Sequence, residues 1–468
     1  MSKVLSKKDE KKRDLILNGN MWQVVIYIAG PLALYQWLNQ FFKVFDSMIA
    51  ANISPMSVSA VAYLSQVSSM VSGLGTGIAV GSCIKISEAY GAGDFDLVHK
   101  RLNTLFKLCA LVGVFIAILI PFSAPLLALL NTPTDFIVEG AIYFSIILFD
   151  DIILIFNTAY ISIERVRGNS GRILKYNLCA TILKLTLSCI FVFVFNQGIA
   201  MIAVATVISD MIIFSAFIRN LCLNNKGDIF SISEYNLKVD KVYSKPLINI
   251  SAPVVGDRVS LQLGKVVVSS MASKYGSLVV GALGISNNIN SMIVSIQTGF
   301  KDGGAAILSQ NIGAGNKRRS IDAFYKLMIV NIVIAIVGVA IARANLGAIS
   351  AFFSSGDEEF ALLIQEIFMW EAYATILQGA YAAVTALLYG YGYTKMTMFL
   401  NIARLFVFRI PVLWFLQNMT NIGSVSVGIV MAVSNGSVGI IGIIVSIFVI
   451  RKIKREIALE EAQEILDN

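Results

Sequence analysis

A long stretch of this chain is written twice, 222 positions apart. Gln40, Lys43, Val44 and Ser47 return as Gln262, Lys265, Val266 and Ser269. Pro31 returns as Pro253, Thr76–Gly77 as Thr298–Gly299, Gly81 as Gly303, and Gly91–Ala92–Gly93 as Gly313–Ala314–Gly315. The register holds without a gap over about sixty residues, so the chain contains two copies of one large unit. Later in each half the offset widens slightly. Thr206 to Asp210 lines up with Met431 to Asn435, and Lys184 with Arg409. One position inside the duplicated polar stripe does not repeat: Asp46 faces Val268 across the alignment.

The units are membrane units. Apolar residues make up 56% of the chain and charged residues 14%, against about a quarter charged in globular domains. Runs of about 20 apolar residues, enough to cross a bilayer, recur throughout. They predict twelve spans, at roughly 21–45, 57–90, 103–128, 137–162, 176–195, 199–223, 247–272, 279–310, 321–343, 361–389, 397–417 and 425–450. Lys and Arg crowd the tail before Met21, alternate loops (Lys100–Arg101, Arg165 to Lys175, Lys226 to Lys245, Lys317 to Arg319, Lys395) and the end from Arg451. By the positive-inside rule both termini are cytoplasmic, in a multi-pass protein of the plasma (inner cytoplasmic) membrane. The net charge of +8 is then a topology signal, with no reason to invoke nucleic acid. The first apolar run reads as a retained span and not as a cleaved leader. The five cysteines are scattered, with no CxxC pair, and read as packing residues.

Six spans per half return the chain to its starting side, so both copies insert the same way up. The fold class expected is an all-α integral membrane protein of twelve transmembrane helices, in two six-helix lobes related by a parallel, membrane-normal pseudo-two-fold. The expected segments are a cytoplasmic tail 1–20, a first lobe 21–223, a cytoplasmic linker 224–246, a second lobe 247–450 and a cytoplasmic tail 451–468. A monomer suffices for such a fold.

Enzyme chemistry has no purchase here. There is no GxxxxGK[ST] loop, and the single histidine, His99, reads as a solvated loop residue, so no catalytic set or zinc site is available. No cofactor or metal is implied. The chemistry lies in polar residues at membrane depth. Gln36, Asn39, Gln40, Lys43, Asp46 and Ser47 recur every three or four residues, on one helical face. A charge at mid-membrane costs roughly 2.5–3.5 kcal/mol, so such a stripe has either a partner or a job. Asp46 can exchange a proton or hold a cation; Lys43, one turn away, can equally pair with it structurally. Asn177, Lys184 and Ser188 share a face of span 5, and spans 4 and 6 add Asp150–Asp151 and Asp210. The second half carries a different charged set, including Asp257–Arg258, Lys265, Lys301–Asp302, Glu366, Glu371, Arg404 and Arg409. Amide and aromatic residues suited to a roomy substrate cleft are Tyr63 and Gln66 beside Gln40 and Lys43, then Gln262, Asn287, Asn288, Trp370, Tyr373 and Gln378 beside Lys265.

Several segments resemble the multidrug and toxic compound extrusion (MATE) family of secondary transporters. Val44-Phe-Asp46-Ser-Met-Ile is similar to that family's first-helix signature. Ser87-Glu-Ala-Tyr-Gly-Ala-Gly93 and Ser309-Gln-Asn-Ile-Gly-Ala-Gly-Asn316 resemble its paired loop motifs, and Arg404-Leu-Phe-Val-Phe-Arg-Ile-Pro411 a helix 11 pattern. The resemblance implies export of small organic molecules through a cleft between lobes, driven by protons or sodium, with Asp46 as the coupling carboxylate. It departs from the family pattern where an asparagine and, four residues on, an aspartate read Lys184 and Ser188. The second-lobe glutamate of a sodium-coupled branch falls near Leu261–Gln262, and that branch's helix 10 aspartate on Gln378. An ammonium beside Asp46 repels sodium, which favours proton coupling, with Asp46, Lys184, Asn177 and Ser188 as the ion-coupling set. Lys43 and Lys265, related by the repeat, would suit an anionic substrate instead. A flippase for a lipid-linked saccharide and a non-transporting scaffold or receptor are the competing readings.

Overall fold

A computed structural model describes residues 5–51, 55–129, 134–223, 228–232, 238–354 and 357–467. The described residues are almost wholly helical. We number the long helices α1 (Met21–Ala51), α2 (Pro55–Ala92), α3 (Phe95–Leu119), α4 (Thr134–Val166), α5 (Ser170–Cys189), α6 (Ile199–Phe217), α7 (Lys241–Ala272), α8 (Ser277–Gly313), α9 (Lys317–Ala344), α10 (Glu358–Gly390), α11 (Thr394–Ala403, continuing to Met419) and α12 (Val425–Asp467). They stand at the twelve expected spans. Ten stretches among the described residues are long and apolar enough to cross a membrane. The other two long helices, α1 and α7, carry the duplicated polar stripe, and they are 31 and 32 residues long. A tail helix, Lys7–Asn18, precedes them.

The duplicated glycines earn their places in two ways. Gly93 and Gly315 close α2 and α8 in the left-handed region, each at φ 78°. Behind them the amides of Asp94 and Asn316 reach back to the carbonyls of Ala89 and Asn311, at 3.1 and 2.8 Å. Gly168 and Gly392 (φ 73° and 75°) end α4 and α10 the same way, through Asn169 to Glu164 and Tyr393 to Leu388. A side chain at a left-handed position costs about 1–2 kcal/mol, which glycine avoids. These last two glycines are 224 positions apart, so the repeat extends through α4 and α10.

The other pair permits close helix contact. A Cβ on Gly77 of α2 would stand 2.8 Å from the Val255 Cα of α7. A Cβ on Gly303 of α8 would stand 2.9 Å from the Ala29 Cα of α1. Gly81 meets Ser251 and Gly299 meets Ala33 in the same fashion. Such contacts hold membrane helices where lipid supplies no hydrophobic drive for association.

These contacts decide how the chain divides. The first compact unit holds Met1–Asp14 and Leu38–Val259; the second holds Leu15–Trp37 and Ser260–Asn468. The start of α1 is thus a member of the second unit, and the start of α7 a member of the first. Division by contact differs from division by repeat at these two helices.

Part of the expected linker is built into the first unit. Ile229 and Phe230 are fully buried, and the amide of Ile232 bonds to Leu221 O at 2.8 Å. Arg167, just past α4, is the hub. It donates to Asp9 of the tail helix at 2.7 Å, to Asp228 at 3.1 Å and to Glu164 at 3.5 Å, and lies over the Phe230 ring. Burial alone would lower the Arg167 pKa; the Glu164, Asp9 and Asp228 carboxylates outweigh it and hold the guanidinium above its ordinary value.

His99 corrects the sequence reading. It is not a solvated loop residue. Asp94 caps α3 by accepting from Leu97 N at 3.0 Å, so the helix begins before the histidine. His99 is 6% exposed, with Nδ1 3.1 Å from Ile229 O and Nε2 2.9 Å from Asn103 Nδ2.

Candidate functional site

Each unit holds a polar frame built by its own helices. In the first unit, Ser68 of α2 donates to the Asp151 carboxylate of α4 at 3.1 and 3.2 Å. Asp151 is 2% exposed and Asp150 beside it 6%. Asp150 lies within electrostatic reach of Asp210 on α6, Asp151 and Lys184 on α5. Asp210 and Lys184 are half-buried and within reach of each other. Asn157 of α4 ties the α6 backbone by donating to Asp210 O at 2.9 Å. Asp150 Oδ1 and Ser188 Oγ are buried without a hydrogen-bond partner among the described residues. Charged groups at this depth are expensive unless they answer one another, and here Asp150 and Asp210 share one ammonium while Asp151 is held by Ser68.

In the second unit, Glu371 of α10 is 1% exposed and accepts from Ser286 Oγ and Asn290 Nδ2 of α8, both at 2.8 Å. Thr375 donates to Asn290 Oδ1 at 2.9 Å. On α11 the helix widens to a π-helical stretch, Arg404–Arg409. This extra residue per turn carries Arg409 onto α12, where Nε meets Ser434 Oγ at 3.0 Å and Nη2 meets Asn435 Oδ1 at 2.9 Å. Arg404 lies over the Tyr381 ring, 5.1 Å from its centroid. Glu371 is within electrostatic reach of Arg409 and Lys265.

The two frames are copies. Repeat-related positions put Ser68 with Asn290, Asp151 with Thr375, Lys184 with Arg409 and Asp210 with Asn435. The bond Ser68–Asp151 therefore has its counterpart in Asn290–Thr375, and the Lys184·Asp210 proximity its counterpart in Arg409–Asn435. The scaffold is shared while the charges have diverged. The first frame carries three acids and one base. The second sets one glutamate against an arginine held by neutral partners.

The sequence profile of the MatE family matches the chain twice, over residues 31–190 and 253–415, one match in each copy of the repeat. The chain belongs to the MatE family. Among its relatives, the probable multidrug resistance protein YoeA of Bacillus subtilis (strain 168) is 25% identical to this MatE chain over 314 residues, 64% of this chain. The match spans 63% of YoeA, less than two thirds of its length. Protein DETOXIFICATION 38 of Arabidopsis thaliana is 22% identical over 402 residues, covering 83% of this chain and 77% of that one. A crystal structure of a MATE mutant superposes with a TM-score of 0.89 at 17% identity, covering 97% of this chain and all of the other. A MOP superfamily transporter from Pyrococcus furiosus gives a TM-score of 0.88 at 18% identity, with 96% and 99% covered. At these identities the likeness to the solved structures is one of fold.

Within this MatE chain the expected site residues fare differently. Asp46 is on α1 and Tyr63 and Gln66 are on α2, but their side chains lie outside the described residues. Lys184 joins the acids of the first frame. Asn177 is buried on the same helix and donates to Ile173 O at 2.8 Å, within its own turn; Ser188 is fully buried. The cleft candidates keep open sides. Gln40, Gln262, Asn287 and Gln378 are half-buried, while Lys43, Lys265 and Asn288 are exposed. Trp370 and Tyr373 pair edge to face at 6.3 Å and flank Glu371, which turns inward. Glu371 and Arg409 stand in the sequence only as members of the second half's charged set; what the sequence does not show is that they share one frame with Ser286 and Asn290. The frame's signal was present: an acid in an apolar run, with an arginine at the position related to Lys184.

Proposed function

We propose that this MatE family member is a secondary transporter that exports small, drug-like organic molecules by alternating access, driven by inward proton flow. Both termini are assigned to the cytoplasmic side of the plasma membrane by the Lys and Arg bias, and the protein works as a monomer. The observation that carries the proton reading is Lys184 within reach of Asp150 and Asp210. Sodium requires a cluster of oxygen ligands, and a resident ammonium already supplies the positive charge that sodium would bring. A carboxylate set of this kind exchanges protons instead. Asp46 is the carboxylate that passes the proton, with Lys184, Asn177 and Ser188 as the other members of the ion-coupling set; Tyr63, Gln66, Gln40, Gln262, Asn287, Asn288, Trp370, Tyr373 and Gln378 contact substrate. The multidrug resistance named in the YoeA relative supports a drug-like cargo. An anionic metabolite is the second reading, favoured by the exposed Lys43 and Lys265.

The test is dye efflux from proteoliposomes under an imposed proton gradient without sodium, comparing the intact protein with Asp46→Asn. Efflux driven by the gradient and lost in the variant is the expected result. Efflux that needs sodium, or that survives Asp46→Asn, sinks the proposal. A cationic dye that fails where an anionic one succeeds would move the cargo to the second reading.

A further inference from the structure

A groove on the second unit runs between α9 and α12 near their Lys- and Arg-rich ends. Its inner part encloses about 320 Å³ and is lined by Phe324 and Met328 of α9 and Ile443 and Ile447 of α12. Its mouth is lined by Arg451 and Lys454, three positions apart on one face of α12. A second hollow of about 340 Å³, which shares Lys454, continues the groove past Arg318 and Ile321.

The charges around the mouth do not balance. Lys317 takes Glu460 at 2.5 Å and Glu456 at 3.6 Å, and Arg318 takes Glu461 at 2.5 Å. Glu456, Glu460 and Glu461 of this end of α12 are thereby engaged by α9. Arg451 and Lys454, a turn nearer the apolar part, pair with no carboxylate among the described residues. Lys452 on the neighbouring face goes to the Tyr393 hydroxyl at 3.1 Å. An apolar slot at the end of a membrane span thus opens under two cations, and the carboxylate that lines the adjoining hollow, Glu461, is already taken by Arg318.

We propose that this groove binds one anionic phospholipid, with an acyl chain along Phe324, Met328, Ile443 and Ile447 and the phosphate between Arg451 and Lys454. The lipid class follows from the charge. A zwitterionic headgroup brings its own cation and gains little from a second pair, whereas a net negative headgroup answers both. The location suits it, because the Lys and Arg bias puts this end at the leaflet where acidic lipids meet basic residues, and basic pockets between helices are the usual sites for such headgroups. Two cations at about fivefold each give roughly a 30-fold preference for an anionic over a zwitterionic lipid, about 2 kcal/mol.

The test is native mass spectrometry of the purified full chain, titrated with phosphatidylglycerol or phosphatidylcholine of identical acyl chains. The expected result is one tightly held phosphatidylglycerol, preferred by about 30-fold, with the preference falling to near unity in Arg451→Gln/Lys454→Gln. Ile447→Trp, which fills the slot while leaving both cations, lowers binding of both lipids. Both sites are solvent- or lipid-facing, and melting in lipid-free detergent checks that the variants fold. An unchanged preference in the double glutamine variant overturns the proposal. So does an equal loss in a matched control, Lys238→Gln/Lys241→Gln, which would reveal a general effect of net charge. Saturation by inorganic phosphate with no lipid retained also overturns it.

Discussion

Replacing Arg409 with methionine separates two accounts of the second frame. Arg409 gives two hydrogen bonds, to Ser434 at 3.0 Å and Asn435 at 2.9 Å, and faces Glu371 electrostatically. Hydrogen bonds between membrane helices average about 0.6 kcal/mol and reach about 1.7, so the two bonds account for roughly 1–3 kcal/mol. Removing one member of a buried charge pair costs more, about 3–5 kcal/mol, because the other charge is left uncompensated. If charge dominates, Arg409→Met destabilises by about 3–5 kcal/mol, and adding Glu371→Gln recovers much of that loss. Glu371→Gln alone carries its own penalty. Its amide can keep the oxygen toward Asn290 Nδ2, but its NH2 group then faces Ser286 Oγ, which must turn from donor to acceptor. The double-mutant cycle removes that term. The assay is reversible unfolding in mixed detergent–dodecyl sulfate micelles, followed by tryptophan fluorescence, on all four proteins. A coupling above about 1 kcal/mol is expected. Additivity within about 0.5 kcal/mol would mean that Glu371 and Arg409 do not sense each other, and the charge account would fall.

Two further outcomes follow from contacts outside the frames. Gly77→Ala sets a Cβ 2.8 Å from the Val255 Cα, against backbone that cannot swing aside, whereas Gly73→Ala meets only the Arg258 Cβ at 3.9 Å. The first lowers the melting temperature by the equivalent of about 1–3 kcal/mol and the second leaves it nearly unchanged; equal effects would refute the close-approach account. Arg167→Met strands Asp9 and Asp228, while Glu164 keeps Arg172 at 3.3 Å, and a penalty of about 3 kcal/mol raises the population with a released tail helix by roughly 100-fold. Trypsin cleavage at Lys11 and Lys12 should accelerate accordingly, and an unchanged rate would show that Arg167 does not hold the tail.

The twelve helices were legible because most are apolar runs of bilayer length and because the repeat set six of them, the polar-striped α1 among them, against the other six. Gly93 and Gly315 were visible as duplicated letters; their left-handed conformation explains why the letters persisted. Hydropathy says nothing about which way a residue turns, so the inward-facing Glu371 looked no different from the exposed Trp370 and Tyr373 beside it. His99 was misread because Lys100 and Arg101 made its surroundings look like a loop, while Asp94, the residue that starts the helix, lies five positions earlier. The unit boundaries inside α1 and α7 left no local mark in the sequence, because what sets them are contacts with glycines far along the chain.

Those glycine contacts bear on ancestry. Gly77 and Gly81 seat residues 251–255 in the first unit, and Gly299 and Gly303 seat residues 29–33 in the second. The borrowed segments are themselves repeat partners, 222 positions apart. Neither half of the gene therefore encodes a finished object; each is completed by the opening helix of its sibling. A six-helix forerunner with the same glycines would have had to lend that helix to a second copy of itself. Expressing one half alone should give a chain that seeks another half before it can settle.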